Sequence, residues 1–498
     1  MTVTLRRVDP LAAWPLFDVA CTRRIERAAL GVSGAFALMR RAGLASARLA
    51  LALAPHARSV WVAAGPGNNG GDGLEAALHL HAWGKKVVVT WLGTPDKASA
   101  DTASAWQRAR DSGVVFAPAP PEHCDLCVDA LLGIGATRAP QGQMALWIAH
   151  MRNTGAPVLS IDIPTGLDAD TGQAAEVCVN ALATLCLLTL KPGLFTADGR
   201  DATQHVWLDT LQVDLQSELL APLALPTAMR AGAPAARAAA QASHKGSFGD
   251  VAIVGGAPGM AGAALLAGSA ALHSGAGRVY LALLDRSAPS VHAQQPELML
   301  RDADQMDYAG KTVVCGCGGG DAVRGHLPKI LATSTGLVLD ADALNAIAGD
   351  VQLQAQLRSR ATRGWRTVLT PHPLEAARLL GTTSAEVQHH RLAAANKLAQ
   401  GFQCTVVLKG SGTVVAAPAR VPSINPTGNA RLATAGTGDV LAGAIGAGLA
   451  AGAAEFQAAC EAVYRHGLCA DHWPDGRTLT ASELARSLRP PSARLAVP

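Results

Sequence analysis

Two short strings carry the residues best suited to chemistry. The first is Gly65-Pro66-Gly67-Asn68-Asn69-Gly70-Gly71-Asp72-Gly73, in which Gly65, Gly67 and Gly70 satisfy G-x-G-x-x-G. The second is Gly436-Thr437-Gly438-Asp439, directly ahead of the apolar run 440–454. Small residues let the main chain approach an anion, and a following helix offers unpaired N–H groups and the positive end of its dipole. Both strings therefore suit phosphate-bearing ligands. Asp439, beside such a nest, can accept the proton of an attacking hydroxyl while the nest holds a transferred group. The alternative is that Asp439 caps the helix. For the first string the alternative is a tight strand-to-helix turn with no ligand. Asn68, Asn69 and Asp72 are more polar groups than such a turn needs.

Other polar residues sit where strands should end. Asp129 is followed by Gly133 and Gly135, and Asp162 by Thr165 and Gly166. In open α/β sheets, ligands bind beyond the carboxyl ends of strands, so these segments and the first glycine string should meet at one crevice. Each aspartate alone reads equally as a turn or cap residue. In the second half, Lys409–Thr413 forms a turn between two strands, and Pro371-His372-Pro373 rigidifies a turn that starts a helix. Glu375 follows as a first-turn partner of the dipole. The strings VVCGCGGG and VLDADALN, and His244 and Lys245 near the start, add polar or glycine-rich positions. An ordinary nicotinamide dehydrogenase needs an acidic residue at the end of the next strand. Here that strand ends in Thr90, Trp91 and Leu92, so that reading fails.

These groups need a scaffold of alternating strands and helices. Strand candidates in the first half are 59–64, 86–92, 126–130, 158–163, 183–188 and 205–208. In the second half they are 250–254, 278–283, 312–315, 336–339, 367–369, 405–408 and 413–416. Several are continuous apolar runs, as expected when helices cover both faces of a parallel sheet. Residues 21–53 read as two helices, with further helices at 73–83, 261–274, 373–380 and 439–450. From 219 to 242 Ala, Pro and Arg dominate and strand signals vanish, which reads as a linker. The expected fold class is α/β, in two domains.

The 498 residues exceed what one core usually organises. Hydrophobic residues at 49% against 16% charged supply two sizeable cores. With 42 basic and 38 acidic residues, the net charge of +4 argues against nucleic acid or an anionic membrane as partner. Ten cysteines are scattered without a secreted-scaffold pattern. Cys124 and Cys127 form a lone C-x-x-C with no second pair at zinc spacing. Buried thiols of a reducing cytosol are the simpler reading. The first residues show no signal-peptide core, and the expected location is cytoplasmic.

The strings GNNGGDG, VDALLGIG and DIPTGLDAD resemble the NAD(P)HX epimerase domain, the YjeF N-terminal domain, over about residues 20–211. The resemblance implies a Rossmann-like α/β/α sandwich. It implies that Asn68, Asn69, Gly70, Gly71, Asp72, Gly133, Ile134, Gly135, Ala136, Thr137, Arg138 and Ala139 line the substrate, with Asp162 catalytic at the nicotinamide end. It further implies that Asn69, Asp129 and Thr165 hold K+. Lys191 in TLKPGL fits the same pattern, although a solvated lysine is an equal reading. Residues 197–206 depart from the glycine-bearing pattern.

The strings HKGSFGD, GMAGAAL, LDADALN, LTPHP, LKGSGT and AGTGDVLAG resemble the ribokinase-like ADP/ATP-dependent NAD(P)HX dehydratase, over about 244–473. By that resemblance Lys409, Gly410, Ser411, Gly412, Thr413 and Gly438 contact ADP or ATP. Ala263, Gly318, His372 and Asp439 contact the hydrated substrate, Asp439 is the catalytic base, and Mg2+ serves this domain. Relatives commonly have proline where Ala430 stands and glycine where Ala435 stands. The expected domains are 1–218 and 243–498, joined by 219–242. The expected partners are NADHX, NADPHX and an adenine nucleotide, in a homo-oligomer. Two rival readings stand beside this one: a ribokinase-like vitamin kinase, and a non-catalytic N-terminal binding module.

Overall fold

The computed structural model describes residues 5–490 apart from 35, 137, 237, 239 and 289. Expected site residue Thr137 therefore lies outside the described residues. The chain divides into two compact units, 1–230 and 231–498.

The first unit contains β1 (Leu5–Arg7), β2 (Trp14–Leu16), β3 (Ser59–Ala64), β4 (Lys86–Trp91), β5 (Val115–Phe116), β6 (Leu126–Ala130), β7 (Val158–Ile161), β8 (Ala183–Leu187), β9 (His205–Asp209) and β10 (Ala228–Arg230). Its main sheet has the order β1-β9-β8-β7-β6-β3-β4-β5, parallel except for β1. The chain runs outward from β3 to β4 and β5, then returns to β6 on the other side. The loops after β3 and β6 thus diverge at a topological switch point, where α/β sheets open a crevice. Helices Ala37–Leu53 and Asn68–Ala82 pack closely, since a Cβ on Gly43 would lie 2.2 Å from Glu75 Cβ.

The second unit contains β11 (Asp250–Gly255), β12 (Arg278–Leu283), β13 (Leu298–Asp302), β14 (Thr312–Cys315), β15 (Gly336–Leu339), β16 (Arg366–Leu369), β17 (Thr405–Leu408), β18 (Val414–Ala416) and β19 (Ser423–Ile424). Their order is β13-β12-β11-β14-β15-β16-β17-β18-β19. The run from β13 to β17 is parallel, and β18 and β19 are antiparallel. The same logic repeats: the chain leaves β11 toward β13, then returns to β14, so a second switch point lies between β11 and β14. The strands β14 to β17 are almost wholly buried apolar runs, as two-sided helix cover requires.

Three readings change. The helix expected from residue 73 starts at Asn68, so Asn68–Asp72 form its first turn and not a loop. Glycine is needed there for packing: a Cβ on Gly70 would lie 2.0 Å from Gly65 O. The expected linker contains β10, which pairs with β2. Both are three-residue strands, too short to show a period in sequence. The helix expected from Asp439 starts at Thr437, with Gly436 as its N-cap.

Helix Thr437–Ala450 lies so close to helix Ala261–His273 that a Cβ on Gly443 would meet Ala267 O at 2.0 Å. Because that neighbour is backbone, it cannot step aside. Gly443→Ala therefore lowers stability by about 1–3 kcal/mol in denaturant titration, despite alanine's better helix propensity. Gly262→Ala, with nothing within 4 Å of its Cβ, leaves stability unchanged or raises it.

Candidate functional sites

At the first switch point a cavity of about 470 Å³ opens, walled by Asn68, Asn69, Asp72, Gly133, Asp162 and Glu26 among others. Asp162 sits just past β7 with φ +68°, a conformation unusual for a residue with a side chain. Its backbone N–H donates to Leu185 O at 2.7 Å. Oδ2 accepts from Ile134 N at 2.9 Å, and Oδ1 from Lys191 Nζ at 2.6 Å. Lys191 is fully buried and also donates to Leu187 O. The solvated-lysine reading is thereby corrected. A Cβ on Gly133 would lie 2.8 Å from Asp162 Oδ2 and 3.3 Å from the Asn69 amide carbon, so these three residues meet.

Behind them Asp129, fully buried at the end of β6, accepts from Thr165 Oγ1 (2.7 Å), Thr165 N (2.9 Å), Ser160 Oγ (2.8 Å) and Leu131 N (3.2 Å). Thr165 Oγ1 in turn accepts from Leu132 N. Burial still holds the Asp129 carboxyl above its ordinary value against these hydrogen bonds. Both polar atoms of the buried Asn69 amide lack a partner among the described residues.

The cavity holds more carboxyls than cations. Burial, with the negative charge of Asp162 added, raises the Asp72 and Glu26 carboxyls above their usual range. Glu26, on helix Val19–Ser33, was not read from the sequence. Its glutamate looks like any surface charge until the fold turns it inward. Of the expected substrate residues, Ile134, Gly135 and Ala136 also line the cavity. Arg138 and Ala139 are exposed and are not among the residues that line this cavity. Gly70 and Gly71 are buried and pack against Gly65 and Met39.

In the second unit the strand ends again converge. Lys409, after β17, donates from Nζ to Asp340 Oδ1 at 2.7 Å, and Thr370 Oγ1 donates to the same oxygen at 2.8 Å. Lys409 Nζ also lies 3.9 Å from Glu375 Oε2. Burial pushes the Lys409 ammonium down, but Asp340 and Glu375 together outweigh it and hold it above its ordinary value. A Cβ on Gly438 would lie 3.3 Å from Lys409 Nζ, so the Lys409 turn meets the start of helix Thr437–Ala450 as expected. Ser411 is exposed and Gly412 buried within the same turn, where Thr413 Oγ1 donates to Gly410 O.

Asp439 lies in the first turn of that helix and does not cap it. One carboxylate oxygen of Asp439, one of Asp340 and Cys317 Sγ all lie within 4.8 Å of one another. Burial and the Asp340 charge push the Asp439 carboxyl up to about 6, against the Cys317 hydrogen bond and Lys409. Gly318, with φ +58°, faces Ala263: a Cβ there would lie 2.9 Å from Ala263 Cβ and 2.7 Å from Met260 O. His372 caps helix Pro373–Leu380, accepting at Nδ1 from Leu374 N and Glu375 N, and its Nε2 lies 3.0 Å from Glu375 Oε1. His372, Glu375, Lys409, Asp340, Cys317 and Asp439 thus form one polar chain. Cys317 and Asp340 were quoted only inside longer strings. Both lie one or two residues past a strand end, which was their available signal.

Each unit therefore presents an amide-bearing helix start and carboxyl groups at a sheet switch point, which defines a two-site α/β enzyme for phosphate-bearing small molecules. Residues 35–193 match the YjeF-related protein N-terminus family, and residues 251–490 match the NAD(P)H-hydrate dehydratase family. The bifunctional NAD(P)H-hydrate repair enzyme of Escherichia coli is 36% identical over 93% of this chain and 90% of its own length. The ADP-dependent (S)-NAD(P)H-hydrate dehydratase of Neisseria meningitidis is 46% identical over 50% of this chain and 85% of its own length. A solved ADP/ATP-dependent NAD(P)H-hydrate dehydratase from Bacillus subtilis, co-crystallised with ATP/Mg2+, is 31% identical over 51% of this chain and 91% of that one, with a TM-score of 0.42. The chain belongs to the bifunctional NAD(P)H-hydrate repair enzyme family.

Removing one partner of a buried ion pair strands the other charge, at a cost of about 3–5 kcal/mol. Lys191→Met should lower the stability of the first unit by that order in urea titration. The double variant Lys191→Met, Asp162→Asn should recover much of the loss. Equal instability of single and double variants would show that the pair itself matters little.

Proposed function

We propose that the chain carries out two consecutive repair steps on hydrated nicotinamide dinucleotides. The first unit epimerises R and S forms of NADHX and NADPHX. The second dehydrates the S form to NAD(P)H with ADP, giving AMP and phosphate. The observation that carries this reading is the Asp439 carboxyl, pushed up to about 6 by burial at the amide-rich start of a helix and next to the Lys409 turn. The proposed domains keep the boundaries 1–218 and 243–498.

In the epimerase cleft, Asp162 is the proposed acid–base group. Lys191 and the Ile134 amide fix its orientation, which leaves the carboxylate aimed at one place. Asn68, Asp72 and the Gly133–Ala136 loop are the proposed substrate walls; Thr137, Arg138 and Ala139 complete the proposed span. The unpartnered Asn69 amide and the cation-free Asp129 fit K+, with Thr165 as third proposed ligand. Bound there, the ion would neutralise the buried carboxylate and give the Asn69 side chain a partner.

In the dehydratase cleft, Asp439 accepts the proton of the substrate hydroxyl as that oxygen attacks the terminal phosphoryl group of the nucleotide. Lys409, Gly410, Ser411, Gly412, Thr413 and Gly438 are the proposed nucleotide contacts, and Ala263, Gly318 and His372 the proposed substrate contacts. The phosphate then leaves with the former hydroxyl oxygen, the neighbouring ring carbon gives up a proton, and the ring regains its double bond. The Cys317–Asp340–Asp439 cluster is a poor Mg2+ cage, because it includes a thiol and Lys409 already sits on Asp340. Mg2+ is therefore proposed to arrive on the nucleotide phosphates, and no residue is assigned to it. Among the described residues no helix is long and apolar enough to cross a membrane. A cytoplasmic location, supported by ten free thiols, and a homo-oligomer complete the proposal.

Asp439→Asn should abolish return of dihydronicotinamide absorbance from S-NADHX while leaving R/S exchange intact. Asp162→Ala should do the reverse. Loss of both activities in either variant would contradict separate sites. Because the working form of Asp439 is the ionised one, dehydration should rise with pH through about 6 and then level off. An acid limb centred near pH 4 would remove the raised carboxyl from the mechanism.

A further inference from the structure

The C-x-x-C pair lies at the amino end of β6, away from the strand end that carries Asp129. Its two sulfurs are 3.4 Å apart. The backbone on both sides is fixed. Asp125 Oδ2 accepts from Arg58 N (2.8 Å), Ser59 N (2.8 Å) and Ser59 Oγ (2.9 Å), and Asp125 N donates to Ser59 O. Cys127 is held in the sheet opposite Trp61 on β3 and Val158 on β7. The dithiol is therefore pre-aligned, so closing it into a ring needs little further loss of chain freedom.

The two thiols differ in access. Cys127 is fully buried, whereas Cys124 is only half-buried. They also differ in acidity. The hydrogen bond from Cys127, with backbone donors at Trp61 and Leu126, pulls the Cys124 thiol below its ordinary value against burial and Asp125. The same contact and burial push Cys127 up. Each of the other eight thiols is raised, with burial the largest cause. Cys124 thus combines access, thiolate character and a sulfur neighbour, the three requirements of an attacking thiol with its resolving partner.

We propose that Cys124 and Cys127 form a redox-active dithiol that a low-molecular-weight disulfide converts to an intramolecular disulfide. The Cys124 thiolate attacks one sulfur of the reagent, its S–S bond breaks, and one thiolate leaves and takes up a proton. Cys127 then gives up its proton and attacks Cys124 Sγ in the mixed disulfide, expelling the second thiolate. Two protein thiols are oxidised and one reagent disulfide is reduced to two thiols. Excess small thiol reverses both steps.

The test uses the full chain in glutathione disulfide, with thiol counting and peptide mass mapping. Free thiols should fall from ten to eight, with the bond mapped to Cys124–Cys127. Cys127→Ser should stop at a glutathione adduct on Cys124, Cys127→Ala serving if the serine variant fails to fold. Cys124→Ser should keep its remaining nine thiols. Retention of all ten thiols in the natural chain, oxidation of any other pair, equal oxidation of Cys124→Ser, or an adduct on Cys124 that never closes would each overturn the proposal. The readout is independent of the repair activities, so its outcome does not depend on the function proposed above.

Discussion

One lysine per unit, fully buried in the first and largely enclosed in the second, salt-bridged to one carboxylate among several, is the constraint on which both sites depend. Lys191 holds Asp162 at 2.6 Å and Lys409 holds Asp340 at 2.7 Å. Buried carboxylates resist ionisation where cations are few, so a site with more acids than cations holds some of them above their ordinary range. In the first unit the excess falls on Glu26 and Asp72, and in the second on Asp439. Burial, with neighbouring negative charge added, thus raises these carboxyls.

The lysines can reach their partners because of topology. In both sheets the chain adds strands on one side of a central strand and then returns to the other. That reversal parts two consecutive loops and opens space for a ligand. The flanking loops must be narrow, which is why glycine lies at Gly133, against Asp162 Oδ2, and at Gly318, against Met260 O. Lys191 follows β8, next to the β7 end that carries Asp162, and Lys409 follows β17, two strands from the β15 end that carries Asp340.

The strands of both central sheets were readable because burial on two faces makes them continuous apolar runs, such as Val60–Ala64 and Thr405–Leu408. The short strands β1, β2, β5, β10 and β19 were not, being two or three residues long with no run to see, and neither was the half-exposed edge strand β13. Asp129 and Asp162 were legible because glycines beside a strand end mark a close backbone approach, and Asp439 because glycines precede an apolar helix. Glu26 was not, because it lies in the charged string RRIER and only the packing of its helix decides which charge faces inward. The same holds for Lys191: burial of an ammonium depends on Asp162, twenty-nine residues away in the chain, and no local pattern encodes it.

The alanine at 435, where relatives commonly carry glycine, bears directly on the second cleft. A missing glycine there would matter if residue 435 had to adopt a left-handed conformation. The left-handed residue is instead Gly436, with φ +90°, and Ala435 is exposed and not among the positive-φ positions. A Cβ on Gly436 would lie 2.5 Å from Leu266 Cδ1 and 4.0 Å from Asp439 Oδ2, so the conformational and steric demands both fall on that one residue. The substitution at 435 therefore leaves the amide nest and the orientation of Asp439 intact. The turn depends on Gly436, and the first residue of the A-G-T-G-D string is free to vary.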